Sequence, residues 1–388
     1  MRRLRAAVRL RCCFAASGVV AWAGCAGRAA APAAAGPRSD VIVASPIVVT
    51  PGDEADRRAT FERARLFLLA GKAEQAAALF DEVARADAAG PLAAASIFDS
   101  GIAWEESGHR DVALERFQSA VERFGPTDVG RAAALRVLRL LAYLERWSLL
   151  AATADLLLAR PDLTDVERLE AYGAQALAVV EAGDPDSAER FIAKGRDIID
   201  ALRLGEGGKL PMEAAQIMFA LGEARRLRSE RITFVPLPAG FSQVLEQRCQ
   251  GLLDAQSAYT DAMRSYDAHW AAMSGYWIGR LYQRLHDDLL AIAPPGAADT
   301  RDKKRLFQGA MRLRYRVLLE KGLAMMAHTV MLGERTGESS PWIDRARAAK
   351  REMEQALAGE KEFLATLPYS ERELERALAD LAAKAVRP

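Results

Sequence analysis

Histidine and cysteine are scarce in this chain of 388 residues, with four of each. His109, His269, His286 and His328 are scattered, and none has a second histidine or cysteine at metal-ligand spacing, so no metal site is expected. Cys12, Cys13 and Cys25 crowd the N-terminus and leave only Cys249 in the body, so no disulfide within the body is expected. Catalytic motifs are missing too. There is no Gly-x-Ser-x-Gly elbow, and Gly208-Lys209 fails the phosphate-loop pattern because Arg203 stands where glycine is required and Leu210 where serine or threonine is. His286-Asp287-Asp288 resembles the His-Asp pair of metal phosphohydrolases without that family's further histidines. No catalytic residue and no cofactor is assigned, and the chain is read as a non-enzyme. Excess charge is also lacking. Lys and Arg number 53 against 52 Asp and Glu, and without the five N-terminal arginines the balance turns slightly acidic. That leaves no basic footprint for nucleic acid.

The N-terminus, by contrast, carries a pattern. Arg2, Arg3, Arg5, Arg9 and Arg11 precede an uncharged stretch from Cys12 to Gly27, the order a secretory signal needs. The apolar part, Cys12 to Gly24, is shorter than the ~20 residues that span a bilayer. Trp22-Ala23-Gly24-Cys25 resembles the bacterial lipobox, although Trp22 stands where that motif usually has leucine. The resemblance implies cleavage before Cys25 and its lipidation, with palmitate among the chains. Ala26 in place of Asp implies the outer membrane, facing the periplasm. An ordinary signal cut near Ala23 or Ala30 and a mitochondrial transit peptide are the competing readings. Residues 26–40, rich in Ala, Pro and Gly, read as a flexible spacer. Residues 41–50 form a short β-prone run. The expected organisation is signal peptide 1–24, lipidated cysteine and tether 25–52, helical repeats 53–230, and a long-helix region 241–388.

An all-α fold is expected from Asp53 onward. Ala64-x2-Phe67-x3-Gly71-x4-Ala76-x3-Phe80 puts small residues where two antiparallel helices touch, aromatics in the gap and Gly71 at the turn. The spacing returns in Gly101-x2-Trp104-x3-Gly108-x4-Ala113-x3-Phe117-x2-Ala120, and again in Ala176-x2-Val179-x3-Gly183-x4-Ala188-x3-Ile192-x2-Gly195. A degenerate unit around Tyr143, Trp147 and Ala152 can be phased two ways. These units resemble the tetratricopeptide (TPR) repeat, whose ideal period is 34 residues. Longer helices are expected at about 242–265, 267–291, 302–335 and 341–366, with a final helix from Tyr369 to Lys384 and Ser340 as an N-cap. Tyr266, Trp270, Met273 and Trp277 fall at i, i+4, i+7 and i+11, one helical face. That face is either core or an aromatic groove for a partner's helix or extended peptide. The basic run Arg301, Lys303, Lys304, Arg305, Arg312, Arg314 and Arg316 reads as a solvated helix face, with acidic lipid headgroups as the alternative contact.

As a whole, the lipobox, the degenerate repeats and the long helices bearing Ala255-Gln256-x2-Tyr259, Gly275-x3-Gly279-x2-Tyr282 and Ala293-Pro294-Pro295 resemble TPR lipoproteins of myxobacteria and related deltaproteobacteria. The resemblance implies a membrane-tethered scaffold with protein partners in an envelope complex serving motility, secretion or outer-membrane assembly. An envelope receptor or enzyme with a pocket in the C-terminal helices is the main alternative, and a soluble periplasmic TPR chaperone a third.

Overall fold

A computed structural model describes residues 53–86, 88–296 and 298–377. The signal segment, Cys25, the tether and the 41–50 run lie outside the described residues, as do residues 378–384 of the expected final helix, of which 371–377 are helical. The described chain has no strand. Its helices are α1 (Asp53–Leu69), α2 (Ala73–Ala86), α3 (Ala93–Glu106), α4 (Arg110–Phe124), α5 (Asp128–Tyr143), α6 (Trp147–Leu158), α7 (Asp165–Glu181), α8 (Pro185–Ala201), α9 (Ala215–Glu230), α10 (Phe241–Met263), α11 (Ala268–Leu290), α12 (Arg301–Thr336) and α13 (Pro341–Ala365). The chain divides into two compact units, one ending at Leu140 and the other beginning at Leu141, within α5.

The first eight helices form four hairpins, and each hairpin is closed by the same three-residue connector. Its middle residue is left-handed: Gly71 (φ 73°), Gly108 (φ 87°), Glu145 (φ 56°) and Gly183 (φ 88°). In every case the middle N–H donates to the carbonyl three residues back and the next N–H to the carbonyl five back. The first hairpin shows Gly71 to Leu68 at 3.0 Å and Lys72 to Phe67 at 2.8 Å; the third shows Glu145 to Ala142 at 3.1 Å and Arg146 to Leu141 at 2.9 Å. This is the Schellman arrangement, which satisfies carbonyls that a helix end leaves open and turns the chain back sharply. The second helix then needs its own start. Asp184 caps α8 by accepting from the Ser187 N–H at 2.9 Å, with Pro185 in the first helical position. Between hairpins, Thr164 and Glu167 form a capping box that opens α7.

Inside the first unit the small and aromatic residues of the repeat pattern meet across the hairpins. Ala64, Ala76, Phe80, Ala113, Phe117 and Ala120 are fully buried, Phe61 meets Phe80 edge-on at 5.3 Å, and Phe98 meets Phe117 at 5.4 Å. Gly101 lies directly over the Phe117 ring, where a Cβ would come within 2.7 Å of it. Phe67 and Trp104 are only half-buried. In the second unit Ala176, Ala188 and Ile192 are fully buried, and Gly195 sits against Ile217.

From α10 on the helices lengthen, from the 12–17 residues of α1–α9 to 23, 23, 36 and 25. Their ends fall within two residues of those expected. Gly275 and Gly279 of α11 face Thr329 and Gly322 of α12, which brings the two backbones close. Thr300 caps α12 by accepting from the Lys303 N–H at 3.2 Å. Ser340 stands at the N-cap of α13, yet its hydroxyl makes no capping bond and is buried without a hydrogen-bond partner.

Candidate functional site

Two places gather polar side chains beyond what packing requires, one in each unit. In the first, the carboxylate of Asp81 on α2 is gripped from three sides. Arg116 of α4 donates to both of its oxygens, at 2.8 and 3.0 Å, Ser100 of α3 donates at 2.6 Å, and the Trp104 indole at 3.3 Å. Burial pushes this carboxyl up, but the bonds from Arg116, Ser100 and Trp104 together bring it below the usual range. Beside the pair lies a cavity of about 450 Å³, walled by Ala84, Arg85, Ile97, Ser119 and Arg123 as well as by Asp81 and Arg116. The Arg85 Nε donates to the Asp81 carbonyl at 3.2 Å, and Arg123 donates to the carbonyl of Ala88.

In the second unit three arginines and four glutamates converge from four helices and the α5–α6 turn. Arg226 of α9 donates to Glu223 and, at 2.9 Å, to Glu230, while Arg284 of α11 also reaches Glu230. Tyr259 of α10 donates to Glu223 at 2.5 Å. Arg345 of α13 pairs with Glu145 at 2.7 Å. Arg226 stacks 4.1 Å from the centre of the Trp277 ring and Arg345 equally close to Trp342. The indole N–H groups of both tryptophans are buried without a hydrogen-bond partner. Glu181, at the end of α7, is the fourth carboxylate and has no arginine to itself. Burial, Glu223 and Glu145 raise it to about 8, against the pull of Arg226 and Arg345.

The aromatic face read as either core or a partner groove is not a single surface. Helix α11 begins at Ala268, so Tyr266 precedes it; that residue is 74% exposed, left-handed at φ 57°, with Lys209 5.5 Å over its ring. Trp270 is 1% exposed, packed against Phe219 at 5.4 Å and Tyr143 at 5.8 Å, and Met273 is fully buried. These two belong to the core, and only half-buried Trp277 reaches the charged cluster. Where that helix face was read as a possible groove, the backbone break at Tyr266 and the burial of Trp270 and Met273 correct the reading.

The other singled-out residues are dispersed. His286 is held between Asp287 at 3.0 Å and Glu360 at 2.7 Å. Cys249 is half-buried and in no disulfide among the described residues. Of the α12 basic run, Lys303 pairs with Asp299, Arg316 with Glu320, Arg305 donates to the Thr366 carbonyl, and Arg312 covers Phe363 at 4.3 Å. Among the described residues no group of three or more His, Cys, Asp or Glu is placed to hold a metal, and no helix is long and apolar enough to cross a membrane. Sequence reasoning passed over Asp81, Arg116 and Glu181, since the groups they meet are far apart in the chain, and it also passed over Arg226, whose partners Glu223 and Glu230 lie three and four residues away. The one sequence signal was Glu223-x2-Arg226, an oppositely charged i, i+3 pair that follows the apolar first half of its helix.

No protein-family model matches the chain, and no curated protein matches its sequence. Among solved structures, the chain is similar to a tetratricopeptide repeat protein from Parabacteroides merdae at 13% identity, over 76% of this chain and 99% of that one, with a TM-score of 0.42.

Proposed function

We propose that this chain is a non-enzymatic scaffold that presents repeated helical hairpins to protein partners, and that it is tethered to the outer membrane through lipid on Cys25. The observation that carries the scaffold reading is the repetition itself. Four hairpins close on the same left-handed connector in four different sequence contexts, a construction that repeat proteins use to build extended contact surface. The tether rests on the lipobox-like Trp22-Ala23-Gly24-Cys25 and the spacer behind it. Two or three acyl chains would hold such a protein firmly, at about 0.8 kcal/mol per buried methylene. A partner assembly at the envelope is the setting we infer from this combination.

Affinity purification from solubilised outer membranes tests the scaffold and is expected to recover stoichiometric protein partners; recovery of the chain alone overturns it. For the tether, the wild type should incorporate labelled palmitate and stay with membranes through a salt wash, and Cys25→Ser should do neither. A wild type that takes up no label ends the lipoprotein reading.

A second reading is favoured by one observation, the cluster around Trp277, Trp342 and Glu181, where buried indole donors lack partners. It makes the C-terminal helices a receptor for a small polar ligand. Quenching or shift of tryptophan fluorescence on adding envelope extract, lost in Trp277→Phe, supports it; an unchanged spectrum counts against it.

A further inference from the structure

The geometry points to the groove between α2 and α4 as a docking site for an extended acidic peptide segment of a partner, gripped at its carboxylates by Arg85 and Arg123. The inference rests on the scaffold reading and names the partner chemistry for one surface of it.

The argument begins with charge. Among the described residues Asp81 is the one carboxylate in the wall of the cavity, and Arg116 neutralises it with two hydrogen bonds. Among the described residues, the exposed Arg85 and Arg123 are then the charges of the groove without a carboxylate partner. Each stands in the last turn of its helix, where the helix dipole favours a cation. That preference explains an arginine at each position. It does not explain why the two flank one cavity.

Their hydrogen bonds to backbone carbonyls leave the remaining guanidinium N–H groups for a ligand. Buried Ile97 and Ala84 give the groove an apolar part, and half-buried Ser119 offers a hydroxyl. Glu82 and Glu122 do not line it. A guanidinium fork matches a planar carboxylate with two parallel bonds. Two such forks on the wall of an open groove with an apolar part suit side-chain carboxylates spaced along a peptide whose intervening residues are apolar. At about 450 Å³ the space is within the range of ligand-holding clefts. A phosphate dianion is less well served than a carboxylate, because the negative helix ends beside both arginines oppose a double charge more than a single one, and no helix N-terminus lines the cavity to offset it.

The test is fluorescence anisotropy of a fluorescein-labelled peptide of alternating glutamate and leucine, titrated with the full chain at low and high salt. The wild type should bind with salt-dependent affinity. The double variant Arg85→Ala, Arg123→Ala should weaken binding by about tenfold or more, and Arg85→Lys, Arg123→Lys should recover part of the loss. Circular dichroism confirms that each variant is folded, and the lysine variant keeps the test decisive if the alanine one is not. Arg301→Ala, Lys304→Ala, which removes charge from α12, should bind as the wild type does. Equal binding by the Arg85/Arg123 alanine variant overturns the proposal, as does an equal loss in the α12 variant. Displacement of the peptide by millimolar inorganic phosphate, or binding of anionic vesicles that depends on the same two arginines, assigns the groove to phosphate chemistry and overturns it too. A purification in which the wild type recovers no partner ends the scaffold reading while the peptide result stands, so the two fail separately.

Discussion

Glu145 adopts a backbone conformation that its three counterparts reach with glycine. A left-handed residue with a Cβ costs about 1–2 kcal/mol, and Glu145 sits at φ 56°. Its side chain supplies the offset, since Arg345 donates to both of its carboxylate oxygens, at 2.7 and 3.1 Å. Glu145→Gly therefore relieves strain and removes an ion pair at once, and we expect a net change within about 1 kcal/mol of zero. In an Arg345→Ala background the pair is already gone, and the same substitution should stabilise by about 1 kcal/mol. Urea denaturation of the four proteins in the cycle checks this. A destabilisation in both backgrounds would show that the turn does not carry the strain argued for it. The same residue explains why the third hairpin is illegible in the sequence. Its neighbours announce themselves by glycine at the turn, and without that marker the unit around Tyr143, Trp147 and Ala152 has no fixed phase.

At the scale of helices, the approach of α11 to α12 depends on missing side chains. A Cβ on Gly279 would lie 2.7 Å from Met326 Cε and 3.2 Å from the Gly322 carbonyl oxygen, and the second contact is backbone that cannot swing away. Gly279→Val should therefore force the helices apart and cost roughly 3 kcal/mol, read as a lower denaturation midpoint. Gly359→Ala, at a helix position with nothing within 4 Å of the new Cβ, should stabilise slightly. A Gly279→Val protein as stable as the wild type would refute the close-packed contact. Helices of this kind were legible because their caps and apolar periodicity are local. Thr300, Asp184 and Gly337 mark ends that the chain announces within a few residues. The candidate sites were not legible. Arg116 finds Asp81 across 35 positions and Arg345 finds Glu145 across 200, and nothing in either neighbourhood signals its partner. Tyr266 misled for a related reason: its spacing continues the α11 period, but a left-handed residue interrupts the backbone there.

For the molecule as a whole, two buried groups and one half-buried group bias stability in one direction with pH. Asp99 on α3 is fully buried with both oxygens lacking hydrogen-bond partners, and burial raises it from 3.8 to about 7 despite Arg65. Glu181 is raised from 4.5 to about 8. His286 is lowered by burial but raised more by its bonds to Asp287 and Glu360, and rises from 6.5 to about 9. In each case the folded chain holds its proton more tightly than the unfolded chain. Stability is then fully present below the unfolded value and falls as pH climbs to the folded one: from about 4 to 7 for Asp99, 4.5 to 8 for Glu181 and 6.5 to 9 for His286. Asp81 works the other way, contributing above its ordinary value and losing that contribution in acid. The stability maximum should lie in mildly acidic solution, with a melting temperature that drops by roughly 5 °C or more between pH 5.5 and 9. Glu181→Gln removes one titrating group and should flatten the fall up to pH 8, while His286→Gln should flatten it between 6.5 and 9 and lower stability at pH 6. Calorimetric scans across this range decide the matter, because a melting temperature that rises toward pH 9 would mean that these groups are charged or solvated differently from what their surroundings require.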